Sequence, residues 1–585
     1  MNATPTGGLR RALLAAMLLM AGAAQAGLPV TEHVLANGMR FLIIEDHTAP
    51  TFMGAWVAHV GSSNETPGQT GLTHLLEHMM FKGTRVIGTK DLDKDLALLA
   101  RQEELMRALR ERSRGLLLEV RQGLAPSLAE ARKADPECVR LEDEFQKLVA
   151  EQRENMIPNE FDQIMQKNGE LFGNAFTSQD MTAYFNVLPA NKLELWFWLE
   201  SDRLINPVMR EFYAERDVVY EERRMRTEAT PTGIHEEAVN SLFWQASPYH
   251  WPIIGWPSDV AELSMSQAEA YYHTWYGPGN ITGILAGDFK TRDAIQLAER
   301  YFGRMEARPA PPALVTLEPR QLGEVRYTGE VEINPTVNLR YHCGGFKHKD
   351  SGVLEVLASL LSGDTGRLQR HLVQEGKTAV RAWAYYERMK HEGAFQVEAE
   401  AAQGVDNATL ESALDAELRR LVDQPVPERE LQKIKNTYFV DTYREQQSPI
   451  RAAFELINSA GCGDWREQEA FSRRIQAVTA EDVRRVAGEL LRKENRMVTW
   501  WVRKAGAASA AEPAGLSSLP TDMQAATRQM LARMKQFSDV AALAGLQGQL
   551  GSANATDANE ATMNRILLEA VTARLAELQA KGGSK

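Results

Sequence analysis

Two distant stretches of the chain repeat one pattern. Met265–Asp288 (MSQAEAYYHTWYGPGNITGILAGD) and Val478–Val502 (VTAEDVRRVAGELLRKENRMVTWWV) each run from a capping residue through a helix and a short turn into an apolar strand. The repetition predicts a duplicated unit of helices layered on a sheet, an α+β fold of α/β-layered type. Between the two stretches, Ala307–Pro319 (ARPAPPALVTLEP) is rich in proline and marks a boundary. The expected division is a first domain over 27–310, a linker over 311–320 and a second domain over 321–505. With 585 residues, 44% hydrophobic and 25% charged, the chain has apolar side chains enough for more than one core.

Other segments stand outside this duplication. Leu92, Leu96, Leu99 and Met106, then Leu141, Phe145 and Leu148, recur at three- and four-residue intervals among dense charges. Between them Gly123, Pro126 and Asp135-Pro136 mark a turn and a new helix start with Pro at its first position. The pattern predicts a protruding helical hairpin over about 91–158, inserted into the first domain. Ala505–Pro520 reads as a linker, and Met523, Met530, Met534 and Phe537, then Ile566–Leu578, carry helical spacing. Residues 506–585 are therefore expected to be a linker and a helical C-terminal extension.

The first residues read as a signal peptide over about 1–26. Arg10 and Arg11 precede the short apolar run Ala12–Ala23, and Ala24-Gln25-Ala26 offers small residues for cleavage. That predicts an exported, periplasmic protein, with no transmembrane segment in the mature chain. Loss of the two arginines takes the net charge from −12 to −14, which argues against nucleic acid as a partner. Three cysteines far apart in sequence (Cys138, Cys343, Cys462) make neither a disulfide framework nor a zinc knuckle.

Gly71–Thr84 reads GLTHLLEHMMFKGT. On a helix His74 and His78 stand one turn apart on one face, a spacing that can bring two ring nitrogens onto one Zn²⁺. Glu77, on the neighbouring strip, can reach a water at that metal. A catalytic zinc site usually has three protein ligands, so the third must come from elsewhere. The best candidate segment is Phe212–Arg226 (FYAERDVVYEERRMR), where Glu215 and Glu222 lie two helical turns apart with Val218 and Val219 as the packing stripe.

His74-Leu75-Leu76-Glu77-His78, followed by Phe81-Lys82-Gly83-Thr84, resembles the pitrilysin/insulinase family of inverted zinc metallopeptidases. Glu215–Glu222 is similar to the family's downstream helix with two glutamates seven apart, and Gly61 and Glu65 also fit. The resemblance implies two homologous domains, each a mostly antiparallel sheet packed with helices, the second non-catalytic. It implies Zn²⁺ on His74, His78 and Glu222, Glu77 as general base, and Glu215 as an acid orienting a histidine. Gly173–Ser178 is like the edge strand onto which a peptide substrate adds, so Asn174, Ala175 and Phe176 are expected to bind it. Gly366-Arg367-Leu368 keeps an arginine that relatives hold near substrate, whereas Val380 stands where a tyrosine is expected. The expected activity is that of an endopeptidase on unfolded peptides. The alternatives are a non-catalytic peptide-binding or assembly subunit, and an enzyme that works as a homodimer or with a second, related chain.

Overall fold

Arg40–Glu45 (RFLIIE) and Thr51–Ala58 (TFMGAWVA) are apolar at nearly every position, as strands covered on both faces must be. They belong to a first sheet of six strands: β1 (Thr31–Val34), β2 (Arg40–Glu45), β3 (Thr51–Ala58), β4 (Phe172–Thr177), β5 (Thr182–Pro189) and β6 (Ile281–Gly287). Its order is β1-β2-β6-β3-β5-β4, with β2–β6 parallel and every other pair antiparallel. A second sheet contains β7 (Val325–Val331), β8 (Thr336–Gly344), β9 (Ala379–Arg388), β10 (Glu392–Ala401) and β11 (Arg496–Arg503), in the order β7-β11-β8-β10-β9. Here too one pair, β7–β11, is parallel. The computed structural model that gives this architecture describes residues 28–504, 515–516, 519–520, 523–524, 526–527, 530–531, 534, 540–552 and 558–582. The signal-peptide reading of 1–26, and most of Ala505–Pro520, lie outside the described residues.

Strand for strand, β2-β6-β3-β5-β4 matches β7-β11-β8-β10-β9 in order and direction. The repeated sequence pattern sits at the equivalent place in both. Helices Met265–Trp275 and Ala480–Leu490 each begin with a capping box, Ser264 with Gln267 and Thr479 with Asp482, and each leads through a short 3-10 turn into β6 or β11.

The two halves exchange helices. Pro449–Gly461, from the second half, lays Ala452, Ala453, Leu456, Ile457 and Ala460 over one face of the first sheet, against Met53, Ala55, Val57 and Ile284. Gly233–Phe243, from the first half, places Val239 and Phe243 on the second sheet beside Ala394 and Met497. Each sheet therefore completes its covering with a helix from the other half, and both belong to one compact unit ending at Arg503.

Segment 91–158 is helical, as Leu92–Arg121, Leu128–Ala134 and Pro136–Asn155. Asp91, Ser127 and Asp135 cap the three starts, accepting from the N–H groups of Lys94, Glu130 and Cys138 at 3.1, 3.2 and 3.0 Å. The expectation that it protrudes is corrected. Leu99, Leu105, Met106, Leu109, Leu141 and Phe145 join the first hydrophobic core, and Arg132 pairs with Glu262 at 2.8 Å. The apolar stripe that spaces the helices also faces the domain beneath, so leaving it free would expose large side chains.

The C-terminal unit, Lys504–Lys585, contains helices Val540–Ser552 and Ala558–Gly582, which meet through Leu543, Leu567, Val571 and Leu575. Among the described residues no helix is long and apolar enough to cross a membrane.

Candidate metal centre

Helix Leu72–Met79 carries the His-x-x-Glu-His motif and buries Leu72, Leu75, Leu76 and Met79. Its start is unusual. Gly71, the N-cap, has φ +87°, and a Cβ there would lie 2.5 Å from the Ile254 carbonyl oxygen. Glycine has no side chain to cap the helix, and Glu65 does so from a distance. Its carboxylate accepts from the N–H groups of Gly71 and Thr73 at 2.8 and 2.7 Å. Burial pushes the Glu65 carboxyl up to about 8 while those N–H groups pull it down.

The second element is helix Phe212–Arg223, opened by Glu211 in the left-handed region (φ 56°). It docks through Phe212, Tyr213 and Val219, which are buried; the expected stripe is corrected at Val218, which is 51% exposed. The helix widens into a π turn over Arg224–Glu228. There Arg223 is buried and grips Glu237, on the helix lent to the second sheet, and donates to the Gly255 carbonyl at 3.0 Å.

These two helices bring three donor atoms within 4.8 Å of one another: one from each of His74, His78 and Glu222. Glu222 Oε2 lies 3.5 Å from His78 Nε2 and 3.9 Å from His74 Nε2. A tetrahedral ion with donors at about 2.1 Å would set them about 3.4 Å apart, so the trio fits a small divalent cation. Two imidazole nitrogens with one carboxylate oxygen suit zinc in particular. Glu222 Oε1 is held by Arg226 at 2.8 Å.

Glu215 lies behind the histidines. Its Oε1 is 2.9 Å from His78 Nδ1 and its Oε2 is 2.5 Å from Lys82 Nζ. Glu77, on the neighbouring strip, accepts a hydrogen bond from the Thr177 hydroxyl at 2.5 Å. Burial pushes His74 down to about 3, helped by the nearby His78 and Arg226 charges. For His78 burial acts downward too, but the hydrogen bond and charge of Glu215, with Glu77 and Glu222, hold it above the ordinary range. Burial raises Glu77, against its Thr177 hydrogen bond. Glu215 is lowered, because His78 and Lys82 outweigh its own burial.

Thr177 ends β4, which among the described residues pairs only with β5 and is an edge of the first sheet. Strand alternation separates the three predicted substrate contacts. Ala175 faces the motif side with Thr177, packed against the first core, while Phe176 turns to the opposite face beside Phe185 and Phe454. Asn174 shares Phe176's parity, and its Oδ1 accepts from the Ala175 N–H at 2.9 Å. Arg367 lies elsewhere, its guanidinium bound in two-point fashion to Glu430 at 2.9 and 2.7 Å. Val380 is half exposed on β9, and Tyr386 is buried with its hydroxyl donating to the Gly344 and Gly345 carbonyls.

Four contributors were not singled out from sequence. Lys82 and Arg226 stand four residues after His78 and Glu222, a helical spacing that could have revealed them. Thr177 follows Ala175 by two along a strand. Arg210 carried no local signal. It is fully buried, pairs with Asp95 at 2.5 Å, and donates to the carbonyls of Thr84 and Ile87 at 2.6 and 2.9 Å, fixing the loop that follows the motif helix.

The chain matches the family model described as Insulinase (Peptidase family M16) over residues 40–101, and that described as Peptidase M16 inactive domain over 262–438. The zinc protease PqqE of Helicobacter pylori is 25% identical over 476 residues, covering 80% of this chain and 91% of that protein. Among solved structures, a protease from Helicobacter pylori superposes with a TM-score of 0.65 at 22% identity, over 81% of this chain and all of that one. The periplasmic protease PqqL from Escherichia coli gives 0.61 at 18%, over 84% of this chain and 50% of that one. Both solved structures share the fold, and the matched segment 40–101 spans the His74–His78 motif. Models for both the N-terminal and the C-terminal parts of the insulinase family of peptidases, M16, thus match in order along the chain.

Proposed function

We propose that this protein is a zinc-dependent endopeptidase acting on peptides or unfolded polypeptides, with His74, His78 and Glu222 holding the metal and Glu77 as general base. The observation that carries the reading is the convergence of three donor atoms beside Glu77, whose carboxylate is tied to the exposed edge strand β4. Relatives named zinc proteases support it.

Zinc, when bound, supplies Lewis acidity that activates water and polarises a scissile carbonyl. The chain's own groups do the rest. Thr177 fixes one oxygen of Glu77 and leaves the other to take a proton from the attacking water and pass it to the departing amine. Burial makes that carboxylate a stronger base than an exposed one. Glu215 accepts from His78 Nδ1–H, which keeps Nε2 turned towards Glu222. A peptide pairing with β4 along Asn174–Phe176 would run past Thr177 towards Glu77, its main chain supplying most of the recognition. Arg367 would join in only by exchanging Glu430 for a substrate group.

The chain's first residues support export to the periplasm. A second reading, an enzyme completed by another copy or a related chain, is favoured by Val380, which offers no hydroxyl at the place where a tyrosine is expected. Size-exclusion chromatography with a peptide assay on each fraction separates the two.

The test of the main reading compares wild type with Glu77→Gln in zinc content and in cleavage of a mixed peptide library. Both should hold about one zinc per chain. The variant should lose about 10²–10⁴-fold in kcat. Undiminished cleavage by Glu77→Gln would overturn the proposal.

A further inference from the structure

A cavity of about 740 Å³ lies where the two halves meet, lined by the turn after β4, by β9 and by the lent helix Pro449–Gly461, and by none of His74, Glu77, His78 and Glu222. Its chemistry is unbalanced. Arg388 lies over the rings of Phe471 and Phe346, at 3.8 and 4.8 Å, yet its side chain forms no ion pair or hydrogen bond among the described residues, and its Nη1 is buried. Glu355 and Glu455 line the same space, and neither forms an ion pair among the described residues; Glu445 and Arg451, both exposed, line it too. Glu455 Oε2 and Gln468 Nε2 are both buried, and the Gln468 side chain pulls the Glu455 carboxyl down by hydrogen bonding. Burial, with the neighbouring Glu445 charge, pushes the Glu455 carboxyl up to about 7, and burial raises Glu355 as well, while Arg388 pulls each the other way.

A guanidinium and two carboxyls facing one space without direct pairing leave a desolvation cost only partly compensated. Nearby groups that need partners use them. Asp180, which also lines the cavity, is satisfied by Tyr249 at 2.8 Å and by the Lys390 N–H at 2.9 Å. Aromatic rings hold Arg388 in place, so its unused donors are already ordered for a ligand.

We propose that this cavity binds a small zwitterion, a free α-amino acid or a short peptide, with its carboxylate on Arg388, its ammonium group on Glu455 and Glu355, and its apolar part against Phe346 and Phe471. The volume suits such a molecule. The complementarity is one of charge at both ends, since Arg388 presents a planar fork to a carboxylate and the two carboxyls can each accept from an ammonium.

The test is isothermal titration calorimetry on the full chain carrying Glu77→Gln, so that peptide hydrolysis adds no heat. The probes are the free L-amino acids and a panel of di- and tripeptides, each also in C-amidated and N-acetylated form. Saturable binding of at least one free zwitterion is expected, weakened at least about tenfold by amidation or by Arg388→Met. N-acetylation or Glu455→Gln should weaken it similarly. The amino-acid and peptide arms decide which source of the zwitterion the cavity prefers. Thermal midpoints of both variants, and Arg388→Lys as a milder second substitution, separate lost binding from lost folding. No saturable heat with any probe would overturn the assignment, as would binding indifferent to blocked termini. Binding unchanged in folded Arg388→Met and Glu455→Gln would place the ligand elsewhere, for example along β4, and overturn it too.

Discussion

Replacing Glu215 by Gln tests how far the proposed metal centre depends on a group that is not among its proposed ligands. In the structure Glu215 accepts from His78 Nδ1 at 2.9 Å and pairs with Lys82 at 2.5 Å. Gln keeps an oxygen for Nδ1–H but no charge. Two consequences oppose each other. The His78 imidazole loses an influence that holds it above its usual range, so fewer protons compete with the metal. The same loss makes Nε2 a weaker donor and leaves the ring held by a weaker, neutral hydrogen bond. Measuring at about pH 9, well above the usual imidazole range, removes the first effect and isolates the second. Partners of this kind are worth about 10–100-fold in metal affinity. That corresponds to about 1.4–2.8 kcal/mol. The assay is competition for zinc against a chromophoric chelator, with Glu222→Gln measured alongside. Affinity within about twofold of wild type at that pH would refute the reasoning. A loss equal to that of Glu222→Gln would refute it differently, by making Glu215 a ligand in its own right.

Arg210→Met should destabilise the first core by about 3–5 kcal/mol in a urea titration, because it strands Asp95 in a fully buried site; adding Asp95→Leu should recover most of that. Stability should fall as pH drops from 6.5 towards 4. His59 and His342 are each held near 4 in the folded chain, chiefly by burial, so their contribution is complete above 6.5 and is lost as pH falls through 4. His342→Gln should flatten that slope by on the order of 2 kcal/mol, and an unchanged pH profile of the thermal midpoint would contradict this. Gly71→Ala should cost about 1–3 kcal/mol in backbone strain, besides the contact with Ile254, and lower zinc affinity, whereas Gly279→Ala, with open space around it, should do neither.

Much of the local structure was legible in the residues themselves. Asp91 and Asp135-Pro136 mark helix starts because a carboxylate can reach an N–H three residues on and because Pro needs no partner at a first helical position. His74 and His78 share a face because a helix turns every 3.6 residues, and Glu215 and Glu222 share one for the same reason. The doubled helix–turn–strand pattern gave away the duplicated sheet, since each copy had to rebuild the same capped helix beside its central strand.

Only the tertiary structure decided which of these faces meet. Glu222 follows His78 by 144 residues, and nothing local specifies that its carboxylate ends 3.5 Å from that imidazole. The stripe at Val218 and Val219 was half right, because a neighbour covers one valine and water covers the other. Arg210 carried no local signal, and the apolar stripes of the hairpin and of the exchanged helices do not say which surface covers them. The reason is one of range. Hydrogen bonding and side-chain spacing within a turn are written into neighbouring residues, whereas burial is a property of the whole folded chain and is settled by whichever distant surface arrives.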